Sequence, residues 1–175
     1  MARIGEVFDA LRHQGRRAFM PFITAGDPDL KFTARLMQAL AEEGCSFLEI
    51  GFPYSDPIAD GPVIQASYTR ALTSGIRVND IFAMLSRTAP ELPAPGVAMV
   101  SYAIVLRHGL ADFVKQARDC GLSGLIVPDL PIEECEELRE QCLASSLDLI
   151  QLVTPTTPRE RAVAIVQKST GFLYY

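Results

Sequence analysis

Six short apolar runs recur along the chain, and stretches with helical periodicity lie between most of them. The runs are residues 18–24 (AFMPFIT), 46–51 (SFLEIG), 96–102 (GVAMVSY), 123–127 (SGLIV), 147–153 (LDLIQLV) and 171–175 (GFLYY). Helical patterns cover residues 30–43, 63–73, 78–87, 131–144 and 158–168. Strand and helix in single file predict a parallel sheet with right-handed crossovers. The stretch at 30–43 opens after Asp27-Pro28, a cap and first-turn signal, and Gly44 supplies its stop. At the N-terminus, Ile4, Phe8 and Leu11 share one stripe of a short amphipathic helix.

Two α/β architectures fit this order, an open doubly wound sheet and part of a (β/α)8 TIM barrel. A dinucleotide-binding open sheet places GxGxxG after its first strand, whereas here that strand runs into TAGDPD. Most strand starts are roughly 25 residues apart, a common βα repeat. The interval from Ser46 to Gly96 is about twice that and holds a long loop, the place where a barrel enzyme carries its chemistry. A complete barrel needs roughly 250 residues, and this chain has 175 with six predicted strands. The expectation is one incomplete β/α-barrel domain over residues 1–175, truncated after the sixth strand, with the N-terminal helix capping the barrel floor.

Bulk properties narrow the partners. A net charge of −5 argues against nucleic acid or an anionic membrane, and no apolar run approaches the length of a membrane span. The N-terminus lacks the apolar core of a signal peptide. Four cysteines (Cys45, Cys120, Cys135 and Cys142) form no CxxC pair, and with only His13 and His108 beside them no metal-ligand spacing arises. Cys135 and Cys142, seven apart, read as reduced core residues on one face, and a cytoplasmic location is expected.

Glu49 is the residue out of keeping with its surroundings, CSFLEIGF. Alternation sets Phe47, Glu49 and Gly51 on one face of the strand and Leu48 and Ile50 on the other. In a barrel the aliphatic pair packs on helices and the carboxyl points inward. Burial raises a carboxyl's pKa, and a raised pKa suits a group that both gives and takes a proton near neutrality. A purely structural glutamate, paired with an arginine or backbone N–H groups, is the competing explanation. Asp56 and Asp60 follow in SDPIADGP, where Asp-Pro and Asp-Gly are ordinary turn formers. A second acid within reach of Glu49 would give a substrate two carboxylates on opposite sides.

The run LEIGFPYSDPIADGPVIQASYTRAL resembles the signature of the tryptophan synthase alpha subunit family. PFITAGDPD, GLIVPDLPIEE, LVTPTTPRER and GFLYY resemble it in the same order, from the N-terminus to Tyr175. The resemblance implies a (β/α)8 barrel lyase of tryptophan biosynthesis that cleaves indole-3-glycerol phosphate, a phosphate ester, to indole and glyceraldehyde 3-phosphate without a cofactor. It assigns Glu49 as the acid/base at indole C3 and the side-chain hydroxyl, and Asp60 as the acceptor of the indole N–H. It places Phe22, Tyr102, Val127, Asp129, Val153 and Tyr175 near the substrate, with Tyr175 orienting Glu49. Plain barrel core is the alternative for the apolar members, and a cap for the helix at Pro131 is the alternative for Asp129. It also implies a tryptophan synthase beta subunit as partner in a heterotetramer, with pyridoxal phosphate held by that partner. Pro53, Tyr54, Asp56 and Pro57 match the loop that touches it.

Two departures stand out. Ile104-Val105 replaces the Asn-Pro that the family carries after the third strand. The family's phosphate site and closing loop lie beyond the sequence matched here, so these residues alone are expected to have little lyase activity. A different phosphate-binding barrel enzyme would need a catalytic lysine at a strand end, but Lys31, Lys115 and Lys168 all read as helical surface. A barrel that only activates a partner would not need both Glu49 and Asp60.

Overall fold

The computed structural model describes residues 4–57 and 60–175. Six parallel strands lie in the order β1-β2-β3-β4-β5-β6, each hydrogen-bonded to the next in sequence. They are β1 (Phe22–Thr24), β2 (Leu48–Gly51), β3 (Gly96–Met99), β4 (Leu122–Ile126), β5 (Asp148–Leu152) and β6 (Leu173–Tyr174). The helices are α1 (Ile4–His13), α2 (Leu30–Glu42), α3 (Pro62–Thr73), α4 (Val78–Thr88), α5 (Tyr102–His108), α6 (Leu110–Asp119), α7 (Glu136–Ala144) and α8 (Arg159–Lys168). The expected six-stranded section of a β/α barrel is present; every strand but β4 is shorter than its apolar run, and β4 has the same length, starting one residue earlier. β1 and β6 have a neighbour on one side only.

Register decides which side chains face inward, because strand side chains alternate with period two. Phe22 pairs with Glu49 and Glu49 with Val97. One layer up, Gly51 pairs with Met99, Met99 with Ile126 and Ile126 with Ile150. Leu152 then pairs with Tyr174. These inward residues form a cluster with Phe47 and the apolar face of α1. Leu48, Ile50, Ala98, Leu125 and Leu149 point the other way, into a larger core under the helices.

α1 closes the barrel floor as expected. Ile4 is fully buried, and the Phe8 ring lies 5.0 Å from Phe47 and 5.9 Å from Phe172. Gly124 permits this close approach. A Cβ there would lie 2.9 Å from the Asp148 carbonyl oxygen and 3.1 Å from Ile4 Cδ1.

Several local expectations change. Asp29, not Asp27, caps α2, its carboxylate accepting from the Phe32 N–H at 2.6 Å. α7 starts at Glu136 rather than at Pro131; Glu134 N–H donates to the Pro131 carbonyl, making a turn there, and Cys135 becomes the cap. The stretch between β3 and β4, where no helix was assigned, folds as α5 and α6, broken at Gly109 with φ 91°. All four cysteines are free thiols, and burial pushes Cys120 up to about 11 and Cys142 up to about 12. Among the described residues no helix is long and apolar enough to cross a membrane, and no group of His, Cys, Asp and Glu could hold a metal ion.

Candidate active site

Strand β2 carries Glu49 into the barrel interior, where it is 2% exposed. Its Oε1 has no hydrogen-bond partner among the described residues. Burial pushes the carboxyl up to about 7, and the charge on Asp60 adds to the rise. Both protonation states are therefore populated near neutrality, the condition for a group that must act as acid and then as base.

The next inward residue on the strand is Gly51, and its missing side chain shapes the site. A Cβ there would lie 2.5 Å from Phe22 Cζ and 2.8 Å from the Tyr68 hydroxyl oxygen. The Phe22 ring edge and the Tyr68 hydroxyl therefore occupy the space directly above Glu49's layer. Tyr68 comes from α3, whose position is set by contacts to the β1 end. Thr24 and Ser67 hydroxyls lie 2.6 Å apart, and Arg70 grips the Asp27 carboxylate with two bonds of 2.9 and 2.6 Å.

The loop after β2 leads from Phe52, packed on Phe82 at 5.4 Å and Phe113 at 5.9 Å, to Asp60. Gln65 on α3 fastens this loop, its side-chain amide donating to the carbonyls of Pro57 at 3.2 Å and Asp60 at 2.8 Å. Tyr54 Oη donates to Asp60 Oδ2 at 3.4 Å, and its ring lies 5.5 Å from that of Tyr68. Burial raises the Asp60 carboxyl above its ordinary value, opposed by the Tyr54 bond. Burial and the Asp60 charge push Tyr54 up to about 12, so the phenol remains a donor. From the far edge, Tyr174 on β6 senses both acids: burial first, then the charges of Glu49 and Asp60, raise its hydroxyl. Two carboxyls and three phenols thus converge on the C-terminal end of the sheet, where barrel enzymes bind substrate.

The family model for the tryptophan synthase alpha chain matches residues 8–175. The chain belongs to the tryptophan synthase alpha family. A tryptophan synthase alpha chain of Rhodopirellula baltica is 48% identical over 178 residues, covering 100% of this chain and 64% of the relative. One from Arabidopsis thaliana is 44% identical, covering 98% of this chain and 62% of its own length. The chain therefore spans less than two thirds of these curated relatives. Among solved structures, ligand-free tryptophan synthase from M. tuberculosis superposes with a TM-score of 0.95 at 37% identity, over 99% of this chain and 70% of that one. The alpha subunit of Legionella pneumophila gives 0.94 at 36% identity, over 100% and 67%.

The residues carried over from the tryptophan synthase alpha pattern are not all placed where that pattern put them. Glu49, Asp60 and Phe22 meet at the barrel mouth. Tyr102 is the first residue of α5, half-buried, with its backbone N–H bonded to Asp129 Oδ1 at 2.7 Å. Asp129 Oδ2 also accepts from Ser101 Oγ at 2.7 Å. Asp129 therefore caps α5 across the sheet and ties β3 to β4, instead of capping a helix at Pro131. Val127 and Val153 pack in the helix-side core, not the interior. Tyr175 is 81% exposed, and it is Tyr174 that faces Glu49. These last three displacements share one cause. The inward positions are Ile126, Leu152 and Tyr174, so an offset of one residue turns each side chain through the sheet.

On the outer loop, Tyr54 and Pro57 are half-buried, Asp56 is exposed and Pro53 is buried. A cavity of about 570 Å³ lies between this loop and α3, lined by Tyr54, Asp56, Pro57, Gln65 and Thr69 among others. Glu49 does not line it. Sequence reasoning passed over Tyr68. The helical stretch that carries it, residues 63–73, was legible, but its reach across Gly51 into the barrel depends on where α3 is held, which the Asp27–Arg70 and Thr24–Ser67 ties help to fix.

Proposed function

We propose that the protein is a lyase of tryptophan biosynthesis that cleaves indole-3-glycerol phosphate to indole and glyceraldehyde 3-phosphate, with Glu49 and Asp60 as its acid–base pair. The observation that carries this reading is the buried Glu49 carboxyl, pushed up to about 7 and sharing the barrel mouth with Asp60.

The chemistry asks for two proton shuttles. Protonated Glu49 gives its proton to indole C3 while Asp60 takes the indole N–H proton, which makes the ring an electron sink. Ionised Glu49 then removes the side-chain hydroxyl proton. The C–C bond breaks, the aldehyde forms, and the bond's electrons return to the ring as nitrogen recovers its proton from Asp60. Each carboxyl ends as it began, and the sequence of steps needs no cofactor of the chain's own. Phe22, beside Gly51, offers an apolar wall for the ring.

A tryptophan synthase beta subunit is the proposed protein partner, in keeping with the alpha-chain family, and any pyridoxal phosphate is proposed to reside on that partner. Asp56, with the half-buried Tyr54 and Pro57, forms the surface proposed to meet it. The direct test of the lyase reading is indole release from indole-3-glycerol phosphate by the whole protein, with Glu49→Gln as control. Undiminished turnover by the Gln variant would overturn the assignment of Glu49.

A further inference from the structure

Tyr68 is 1% exposed, and its hydroxyl has no hydrogen-bond partner among the described residues. Buried tyrosines normally find one. Leaving such a group unpaired costs on the order of 1–3 kcal/mol. Glu49 Oε1, on the same inward surface, is unpaired as well. The two residues are equally closed off, and the Tyr68 oxygen stands over Gly51, one inward position above Glu49. A ligand that reaches the Glu49 carboxyl therefore meets the Tyr68 hydroxyl too. Apolar rings flank the phenol: Phe22 lies 6.4 Å and Tyr54 5.5 Å from it, centroid to centroid. Among the described residues no hydrogen bond ties its hydroxyl into the fold, in contrast to the side chains of Ser67 and Arg70 on the same helix.

A hydroxyl on the ligand satisfies both unpaired groups at once. It can donate its proton to a carboxylate and accept a bond from a phenol. We propose that Tyr68 is a further catalytic residue, donating a hydrogen bond to the substrate hydroxyl oxygen whose proton Glu49 removes. This rests on the lyase reading above. As Glu49 takes the proton, that oxygen gains negative charge on its way to becoming the aldehyde carbonyl, so the phenolic donor bonds the transition state more strongly than the ground state. No proton leaves Tyr68. Burial and the Asp60 charge raise its hydroxyl far above the ordinary phenol value, which keeps it a donor throughout.

The test is Tyr68→Phe in the whole protein, which deletes the hydroxyl and keeps the ring on Phe22 and Tyr54. The thermal midpoint should be unchanged or higher, since an unpaired buried polar atom is removed. The kcat for indole-3-glycerol phosphate should fall about tenfold or more, the worth of one donor to a developing charge. Binding of an analogue whose three-carbon phosphate chain lacks that hydroxyl should be the same for both proteins. Turnover by the variant within about twofold of the parent overturns the role of Tyr68 and leaves the lyase reading intact. Equal losses in analogue binding and in turnover also overturn it, because they mean a displaced ring. A parent protein that releases no indole overturns both.

Discussion

Replacing Glu49 with Gln should change how stability depends on pH, and the size of that change follows from the burial of the carboxyl. In the unfolded chain the group titrates at its ordinary value of 4.5, and in the fold at about 7. Between these values the folded state binds more protons than the unfolded one, so stability falls as pH rises. The glutamate's contribution is fully present below the unfolded value and is lost as pH passes the folded one. At about 1.36 kcal/mol per pKa unit, the wild-type protein should lose about 2.5 kcal/mol from this group between pH 5 and pH 8. Gln mimics the protonated acid in shape and charge and does not titrate. Its extra N–H groups add a cost of about 1–3 kcal/mol if unpaired, but that cost is the same at every pH. The test quantity is therefore the stability difference between variant and wild type, measured by urea denaturation at several pH values. It should move in favour of the variant by about 2.5 kcal/mol across this window. A difference that stays flat from pH 5 to pH 8 would mean that Glu49 titrates normally, and the acid–base role drawn from its raised pKa would fall with it.

Asp60→Asn should lower indole release and also shift the alkaline limb of the pH–rate profile toward acid, because the Asp60 charge helps hold Glu49 protonated; a limb that does not move would refute the coupling. Gly51→Ala would set a methyl 2.5 Å from Phe22 Cζ and 2.8 Å from the Tyr68 oxygen, so a stability loss of about 1–3 kcal/mol should accompany a fall in kcat, both read against wild type. Ile4→Ala removes a fully buried side chain from the barrel floor and should cost about 2–5 kcal/mol in a denaturant melt. Its effect on kcat should be small, since α1 lies at the opposite end from Asp60.

The barrel was legible because each βα unit writes its own pattern: an apolar run, a turn signal and an amphipathic stretch, repeated in order. Glu49 was legible for the same reason, as a charge inside CSFLEIGF whose parity opposed Leu48 and Ile50. Parity on later strands was harder. Apart from Asp148 and Gln151, one on each face, residues 147–153 and 171–175 carry apolar or aromatic side chains on both faces, since helices cover one side and the barrel core the other. Such runs carry little alternation to read, and the inward residues are Leu152 and Tyr174, each one position before the residues the resemblance named, Val153 and Tyr175. The cross-strand register settles it, and register is a long-range property of hydrogen bonding. Asp129 shows a second limit. Its spacing to Pro131 suggested a local cap, but the N-terminus that it caps belongs to α5, 27 residues away.

The placement of Tyr68 and Glu49 suggests how the fold tolerates the cost of its own site. An unpaired carboxyl and an unpaired phenol would ordinarily draw the surrounding segments into rearrangement. Here the segments that carry them are held by contacts made elsewhere. β2 is paired on both sides, to β1 and to β3. α3 is tied to the β1 end by the Arg70–Asp27 pair and the Ser67–Thr24 bond, and to its own loop by Gln65. None of these contacts uses a group assigned to the chemistry. A substitution that cuts one of them, such as Arg70→Ala, removes no proposed proton-transfer group but loosens the hold on α3, and with it the position of Tyr68 over Gly51 and the Gln65 hold on the Asp60 loop. Stability and catalysis should therefore separate in this helix: Tyr68→Phe acts on kcat with the fold unharmed, and Arg70→Ala acts on the position of the whole helix.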